Sequence, residues 1–298
     1  MQALFRMQNL IPGVAVCNAE KIPTTLTVAI NSNAETSMGE TEELEYGENM
    51  ISLLEAVWGE GFMSPGGTDE VDRVLGNKDL SQARVLDIGC GIGGAAVHIA
   101  LTRQPSSVTG IDIEENLVTL ALELAEKNNV SAICDFQRVE PGPLPFEPGS
   151  FDIVFSKDSI IHIADKFSLA KNAYQLLSPG GWFLASDWLC GYEGEPSPQM
   201  QAYIDAEGLD FGLASAKTYQ QAFEAAGFVD IEFEERNAWY RIQARVERDN
   251  LAGPLYDELV SRVGEDFLSR EIDAWNKMII VLDSGEHRPT LLRAQKKL

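Results

Sequence analysis

Two carboxylates and a run of glycines form the first chemical pattern in the chain. In Val85-Leu86-Asp87-Ile88-Gly89-Cys90-Gly91-Ile92-Gly93-Gly94 an apolar run enters a glycine-rich turn, and Ala95 to Ala100 continues as helix. Glycines suit such a strand-to-helix turn because they reach backbone angles closed to other residues and let the main chain touch a ligand. Gly89, Gly91 and Gly94 also satisfy the dinucleotide spacing GxGxxG, which alone does not identify the ligand. Asp87, just before the turn, puts a carboxylate where a pyrophosphate would be repelled and a ligand ammonium welcomed. Asp112 closes the next apolar run, Val108 to Asp112, where an acid can accept both hydroxyls of a ribose. A second pattern is Ser156-Lys157-Asp158-Ser159-Ile160-Ile161-His162, directly after an apolar strand. Asp158 and His162 are four apart, so on a helical turn they share a face at the sheet edge where open α/β folds bind ligands.

The elements that must position these groups are legible from periodicity. Helical spacing covers 42–58 and 69–75, then 114–128, 164–177 and 216–226; apolar or alternating runs mark strands at 108–112, 132–139, 151–156, 182–186, 228–235 and 291–295. This repeated alternation predicts an α/β fold with a parallel sheet covered by helices on both faces. Gly191, Gly194, Pro196 and Pro198 open an expected insertion at about 188–215 over the site, and a helical insertion is expected at about 238–284. Residues 1–40 read as a loose N-terminal arm without a motif, and 41–80 as a helical cap before the main domain at 81–298.

Composition narrows the function. The chain has 298 residues, 45% of them hydrophobic, and a formal net charge of -23. That excess of acid argues against nucleic acid or an anionic membrane as partner, because both require a basic face. Gln8, Asn9 and Pro12 interrupt any signal-like core near the start, and no run approaches the ~20 apolar residues of a membrane span. Four cysteines without a CxxC pair and three histidines indicate neither a zinc site nor a disulfide framework. A reduced, cytoplasmic enzyme fits best, with no metal and with self-association left open.

Asp-Ile-Gly-Cys-Gly-Ile-Gly-Gly followed by Gly-Ile-Asp-Ile resembles motifs I and II of the class I S-adenosylmethionine-dependent methyltransferases. With Tyr46-Gly47-Glu48-Asn49, Phe62 to Gly67 and the 156–162 stretch, the chain from about 42 onward is similar to the phosphoethanolamine N-methyltransferases and, more distantly, to the glycine and sarcosine N-methyltransferases. The resemblance implies a Rossmann-like seven-stranded sheet with a reversed last strand. It also implies S-adenosylmethionine held by Ser64, Asp87, Gly89, Gly91, Asp112, Ile113 and Glu140, and an acceptor site closed by Tyr46 and His162 with Asp158 as a catalytic partner. Pro141 departs from the pattern, since it has no N–H to give an adenine ring. The phosphate-gripping positions depart further: Tyr203 stays, but Trp188, Glu207, Leu209 and Met278 stand at the others, so the pocket offers an acid for an ammonium group. Arg288, with Arg241 and Arg245, is the expected fork for a substrate carboxylate. The implied activity is methyl transfer to a small amino-acid-like acceptor, giving an onium compound of the compatible-solute kind, with methionine S-methylation to S-methylmethionine or glycine/sarcosine-type N-methylation as the leading cases. The alternatives are phosphoethanolamine N-methylation and, from another class, a non-catalytic Rossmann-type nucleotide-binding protein.

Overall fold

In the computed structural model, residues 46–208 and 211–298 are described. The expectations for the arm at 1–40 and for Leu209 lie outside them. Seven strands, β1 (Arg84–Ile88), β2 (Ser107–Asp112), β3 (Cys134–Arg138), β4 (Phe151–Lys157), β5 (Leu177–Cys190), β6 (Phe228–Glu235) and β7 (His287–Lys296), make one sheet in the order β3-β2-β1-β4-β5-β7-β6. The pairs among β1 to β5 are parallel, whereas β7 runs antiparallel to both β5 and β6. The chain leaves β1 toward β2 on one side and returns to β4 on the other. This reversal opens a crevice at the carboxyl ends of β1 and β4.

Strands β1 and β4 are buried along nearly their whole length, as a parallel sheet covered on both faces requires. One face packs against α2 (Gly67–Leu75), α3 (Gly94–Arg103) and α4 (Glu115–Lys127), through Val71, Val74, Ala96, Ile99 and Ala121. The other packs against α5 (Lys166–Leu176) and α7 (Ala216–Ala226), through Leu169, Ala173, Tyr219 and Phe223. Asp165 caps α5 by accepting the Ser168 N–H at 2.9 Å, which fixes where the helix begins just after His162. The exposed edge strand β6 carries Asp230, Glu232, Glu234 and Glu235, charges that discourage edge-to-edge pairing.

A third core forms over the crevice. It joins α1 (Glu48–Trp58) to α6 (Pro198–Glu207), α8 (Asn237–Leu251), α9 (Tyr256–Val263) and α10 (Glu265–Ser284) through Leu53, Leu54, Met200, Tyr240, Leu268 and Leu282. Two expected boundaries change here. The cap at 41–80 divides, because α1 joins this third core while α2 seals the sheet. The insertion expected from 188 begins after Cys190, because β5 runs on past Ser186 by pairing with β7 as far as Cys190 and His287. None of the described helices is long and apolar enough to cross a membrane.

One buried carboxylate ties the cap together. Glu247, 2% exposed, accepts Trp58 Nε1 at 2.9 Å, Tyr240 OH at 3.0 Å and Trp275 Nε1 at 3.3 Å, linking α1, α8 and α10. Glu247→Leu leaves three donors without an acceptor, each worth about 1 to 3 kcal/mol when orphaned. The urea midpoint is therefore expected to fall by an amount equivalent to about 3 kcal/mol or more. An unshifted midpoint would mean that this knot does not stabilise the cap.

Candidate functional site

At the carboxyl end of β1 the chain turns back on itself, with the N–H groups of Gly89 and Cys90 both donating to Ile111 O at 2.9 and 3.0 Å. Gly89 has φ 67, and a Cβ there would lie 1.6 Å from Ser159 Oγ, so no side chain fits between the turn and the 156–162 segment. Gly94 opens α3 under the 59–67 loop and donates to Gly61 O at 2.9 Å; a Cβ on Gly94 would sit 2.1 Å from that same oxygen. The loop thus lies across the glycine turn, with Met63 over Gly91.

Asp112 is fastened from both sides. Its Oδ2 accepts Gly91 N at 2.9 Å and its Oδ1 accepts Glu114 N at 3.1 Å. Burial nevertheless raises its pKa against those donors. Each oxygen keeps a further acceptor site, so the carboxylate can hold a pair of hydroxyls. Ile113, the next residue, is 46% exposed although large and apolar, which leaves a flat apolar surface beside Asp112. Asp87 is 1% exposed, and its Oδ2 makes no hydrogen bond. Burial first, and Asp112 second, push its pKa up to about 7 against the pull of Lys157. A buried acid with an unfilled acceptor, next to a glycine turn, a diol-ready carboxylate and an exposed apolar platform, fits a nucleoside ligand that also carries a cation.

Lys157 and Asp158 lie at the end of β4. Lys157 Nζ donates to Ser64 Oγ at 2.7 Å, Pro65 O at 2.8 Å and Asp158 Oδ2 at 2.7 Å, so Ser64 supports the site through Lys157. Asp158 has φ 58 and donates its own N–H to Ser186 O at 2.8 Å. The helical face expected for Asp158 and His162 is therefore corrected: only Ile160–His162 forms a 3-10 turn, and Asp158 precedes it in the left-handed region. His162 still lies close enough to Asp112 to favour its charged form, which brings the two chemical patterns to one cleft. Tyr46 packs beside Ile51, Ile92 and Leu117, its carbonyl accepting from Asn116 Nδ2 at 3.0 Å, and it lies within electrostatic reach of Tyr203.

The side expected to take the acceptor is aromatic and acidic. Tyr203 is buried, with its ring 5.2 Å from His287, and His287 stacks on Trp188 at 4.8 Å with 3° between the planes. Phe211 sits between Tyr203 and His162, at 6.2 and 5.8 Å. Burial holds the His287 pKa down to about 3, so this imidazole extends the aromatic wall without adding charge. Glu207 hydrogen-bonds to Tyr203, and burial together with the nearby Glu271 raises its pKa to about 7. Glu271, on α10, is itself raised by burial.

Other expected residues are placed elsewhere. Glu140 is exposed and paired with Arg138, turned toward solvent rather than toward a ligand. Arg288 pairs across the sheet with Leu189, and its guanidinium is held by Gly285 O at 2.7 Å and Glu235 at 3.3 Å. Strand alternation puts it on the opposite face from His287, so it does not join the acceptor wall. Arg241 and Arg245 are both spent on Asp283 at 2.8 and 2.5 Å. Sequence reasoning missed Lys157, Glu271 and His287. Lys157 had a usable signal, a lysine inside the Asp158 motif; the other two come from α10 and β7, far along the chain.

Comparison with known proteins places this geometry. The family described as a methyltransferase domain matches residues 79–240. A phosphoethanolamine N-methyltransferase of Triticum aestivum is 32% identical over 253 residues, covering 83% of this chain and 48% of the relative. The chain spans about half the length of the plant relatives it matches. Among solved structures, Haemonchus contortus phosphoethanolamine N-methyltransferase 2, in complex with phosphomonomethylethanolamine and S-adenosylhomocysteine, superposes with a TM-score of 0.77 at 27% identity, covering 85% of this chain and 59% of that one. A putative sarcosine dimethylglycine methyltransferase from Galdieria sulphuraria shares the fold, with a TM-score of 0.72 at 17% identity, covering 84% of this chain and 97% of that one.

The two ends of the Lys157 contact make unequal predictions. Lys157→Met strands buried acids without their cation and is expected to cost about 3 to 5 kcal/mol of stability. Ser64→Ala removes one acceptor of three and should cost about 1 kcal/mol. Equal losses in urea unfolding would overturn the view that the charge, more than the loop contact, matters.

Proposed function

Since the chain belongs to the methyltransferase-domain family, we propose that it transfers the methyl group of S-adenosylmethionine to a small acceptor recognised by its positive charge. The observation that carries this reading is the half-buried Glu207, close to Glu271 and hydrogen-bonded to Tyr203, whose ring lies tilted against the stacked Trp188–His287 pair. Two acids in a water-poor, aromatic setting are stabilised by a cation, and an ammonium group satisfies both charge and ring faces.

When bound, S-adenosylmethionine supplies a methyl group already activated on a sulfonium. Asp87 offers its unfilled oxygen to the amino group of the cofactor, Asp112 takes the ribose hydroxyls and Ile113 gives the adenine a face. Asp158 and His162 orient the acceptor, and the loop tied down by Lys157 keeps water from the crevice, so the chain works chiefly by alignment. With an amine acceptor, His162 is the group positioned to take the departing proton. A thioether needs no base, and Trp188 would stabilise the new onium charge by roughly 0.5 to 2 kcal/mol.

Methionine methylated on sulfur and a glycine-type amine methylated on nitrogen both meet the Glu207 anchor. The apolar side chains of Trp188 and Met278, which belong to the cap core, favour the thioether. Because Arg288, Arg241 and Arg245 are engaged elsewhere, the acceptor's carboxylate is left to solvent and recognition rests on the ammonium. The phosphoethanolamine reading is supported by the names of the relatives and by the retained Tyr203, but a phosphate dianion beside Glu207 would meet like charge.

Two measurements test this. Asp112→Ala should weaken S-adenosylmethionine binding in calorimetry by about 2 to 3 kcal/mol, the scale of hydrogen bonds to a charged acceptor; unchanged affinity would remove Asp112 from the cofactor site. Glu207 is protonated and neutral below its raised pKa of about 7 and charged above it. The acceptor's KM should therefore fall as pH rises from about 6 to about 8. Glu207→Gln should flatten that profile and raise KM about tenfold or more, with the cofactor's KM unmoved. A pH-independent acceptor KM in the parent chain would contradict the ammonium anchor.

A further inference from the structure

The segment bearing Asp158 and His162 is held by a pair of buried ionisable groups that takes no part in the chemistry above. Lys166, the first residue of α5, is 2% exposed and donates Nζ to Ile160 O at 2.7 Å, inside the 3-10 turn that ends at His162. Its ammonium lies 5.3 Å from the centre of the Tyr219 ring. Asp187 on β5 is fully buried within Coulombic reach of that ammonium. It accepts Tyr219 OH at 2.5 Å, while its Oδ1 makes no hydrogen bond. Its neighbour on β5, Ser186, supplies the carbonyl that accepts Asp158 N at 2.8 Å and so helps hold the left-handed backbone there. One buried pair is thus attached to both ends of the segment: through Lys166 to the His162 turn, and through β5 to Asp158.

Stability alone is a weak reason to keep such a pair, because apolar replacements of buried ions are often neutral or stabilising. Apolar side chains, however, could not grip a turn carbonyl. We infer that Lys166 and Asp187 are positioning residues for methyl transfer, setting the placement of His162 and Asp158 against the acceptor. This rests on the proposal that those two groups orient the acceptor.

The test uses the full chain and variants Asp187→Asn, Lys166→Met and His162→Ala. The chain has three histidines, so His162→Ala identifies the His162 ring signals in an NMR spectrum. Asp187→Asn and Lys166→Met are expected to shift or broaden those signals and leave the His98 signals in place. They should keep the S-adenosylmethionine dissociation constant within about twofold, and lower kcat with methionine or glycine as probe by about tenfold to a hundredfold, the range for a misplaced group. Unmoved His162 signals with unchanged kcat overturn the inference, as does a loss that tracks cofactor affinity. If Lys166→Met does not fold, Asp187→Asn, which keeps an acceptor for Tyr219, decides alone. If His162→Ala itself leaves turnover intact, or neither probe is methylated, the proposed acceptor role fails while the ring signals still judge whether Lys166 and Asp187 place the turn.

Discussion

The Lys157 ammonium is the contact on which the crevice depends. With acceptors at 2.7, 2.8 and 2.7 Å, it joins the end of β4 to the loop over the glycine turn and to Asp158. A lysine that is 8% exposed needs partners for its donors, and all three here find oxygen acceptors. Asp158 bonds to that ammonium directly, and Asp87, pushed toward its neutral form by burial and by Asp112, is drawn the other way by the same lysine. Asp87 is left with an oxygen to spare and a pKa pushed up to about 7, as the proposed binding of a cationic ligand requires.

On the proposed reading, the same logic applies to the acceptor, with the sign of the ligand reversed relative to a phosphate site. Relatives named for phosphoethanolamine share about a third of the aligned residues with this chain. Here the half-buried Glu207 and Glu271 stand beside an uncharged aromatic wall, with Arg270 within electrostatic reach of Glu271, while Arg241 and Arg245 are committed to Asp283. A buried charge sets specificity more by what it rejects than by what it attracts. On the proposed reading, Glu207 would reject a phosphate dianion while admitting an ammonium.

The cap that closes over these groups is assembled from α1, α6 and α8 to α10, segments separated in the chain by the whole of the sheet's parallel half. Its own polar centre, Glu247 beneath Trp58, Tyr240 and Trp275, shows why those helices must close together: each donor would be orphaned if its helix moved away alone.

Much of this was legible in the residues. The glycine turn, Asp87 and Asp112 are local, since a strand-to-helix turn and an acid at a strand's end follow from neighbours in sequence; alternation gave the parallel sheet, while the reversed last strand came from the family resemblance. The glycine turn and its two flanking acids were thus determined by short-range pattern. What only the tertiary structure decided are the long-range pairings. His287 meets Trp188 because β7 pairs antiparallel with β5 in one particular register, and a shift of one residue would have presented Arg288 instead. Glu271 reaches Glu207 because α10 packs on α6, and Arg241 and Arg245 are lost to Asp283 because α8 packs on α10. Side-chain charge is written in the sequence, but whether that charge is free to meet a ligand depends on which partner the packing brings within reach.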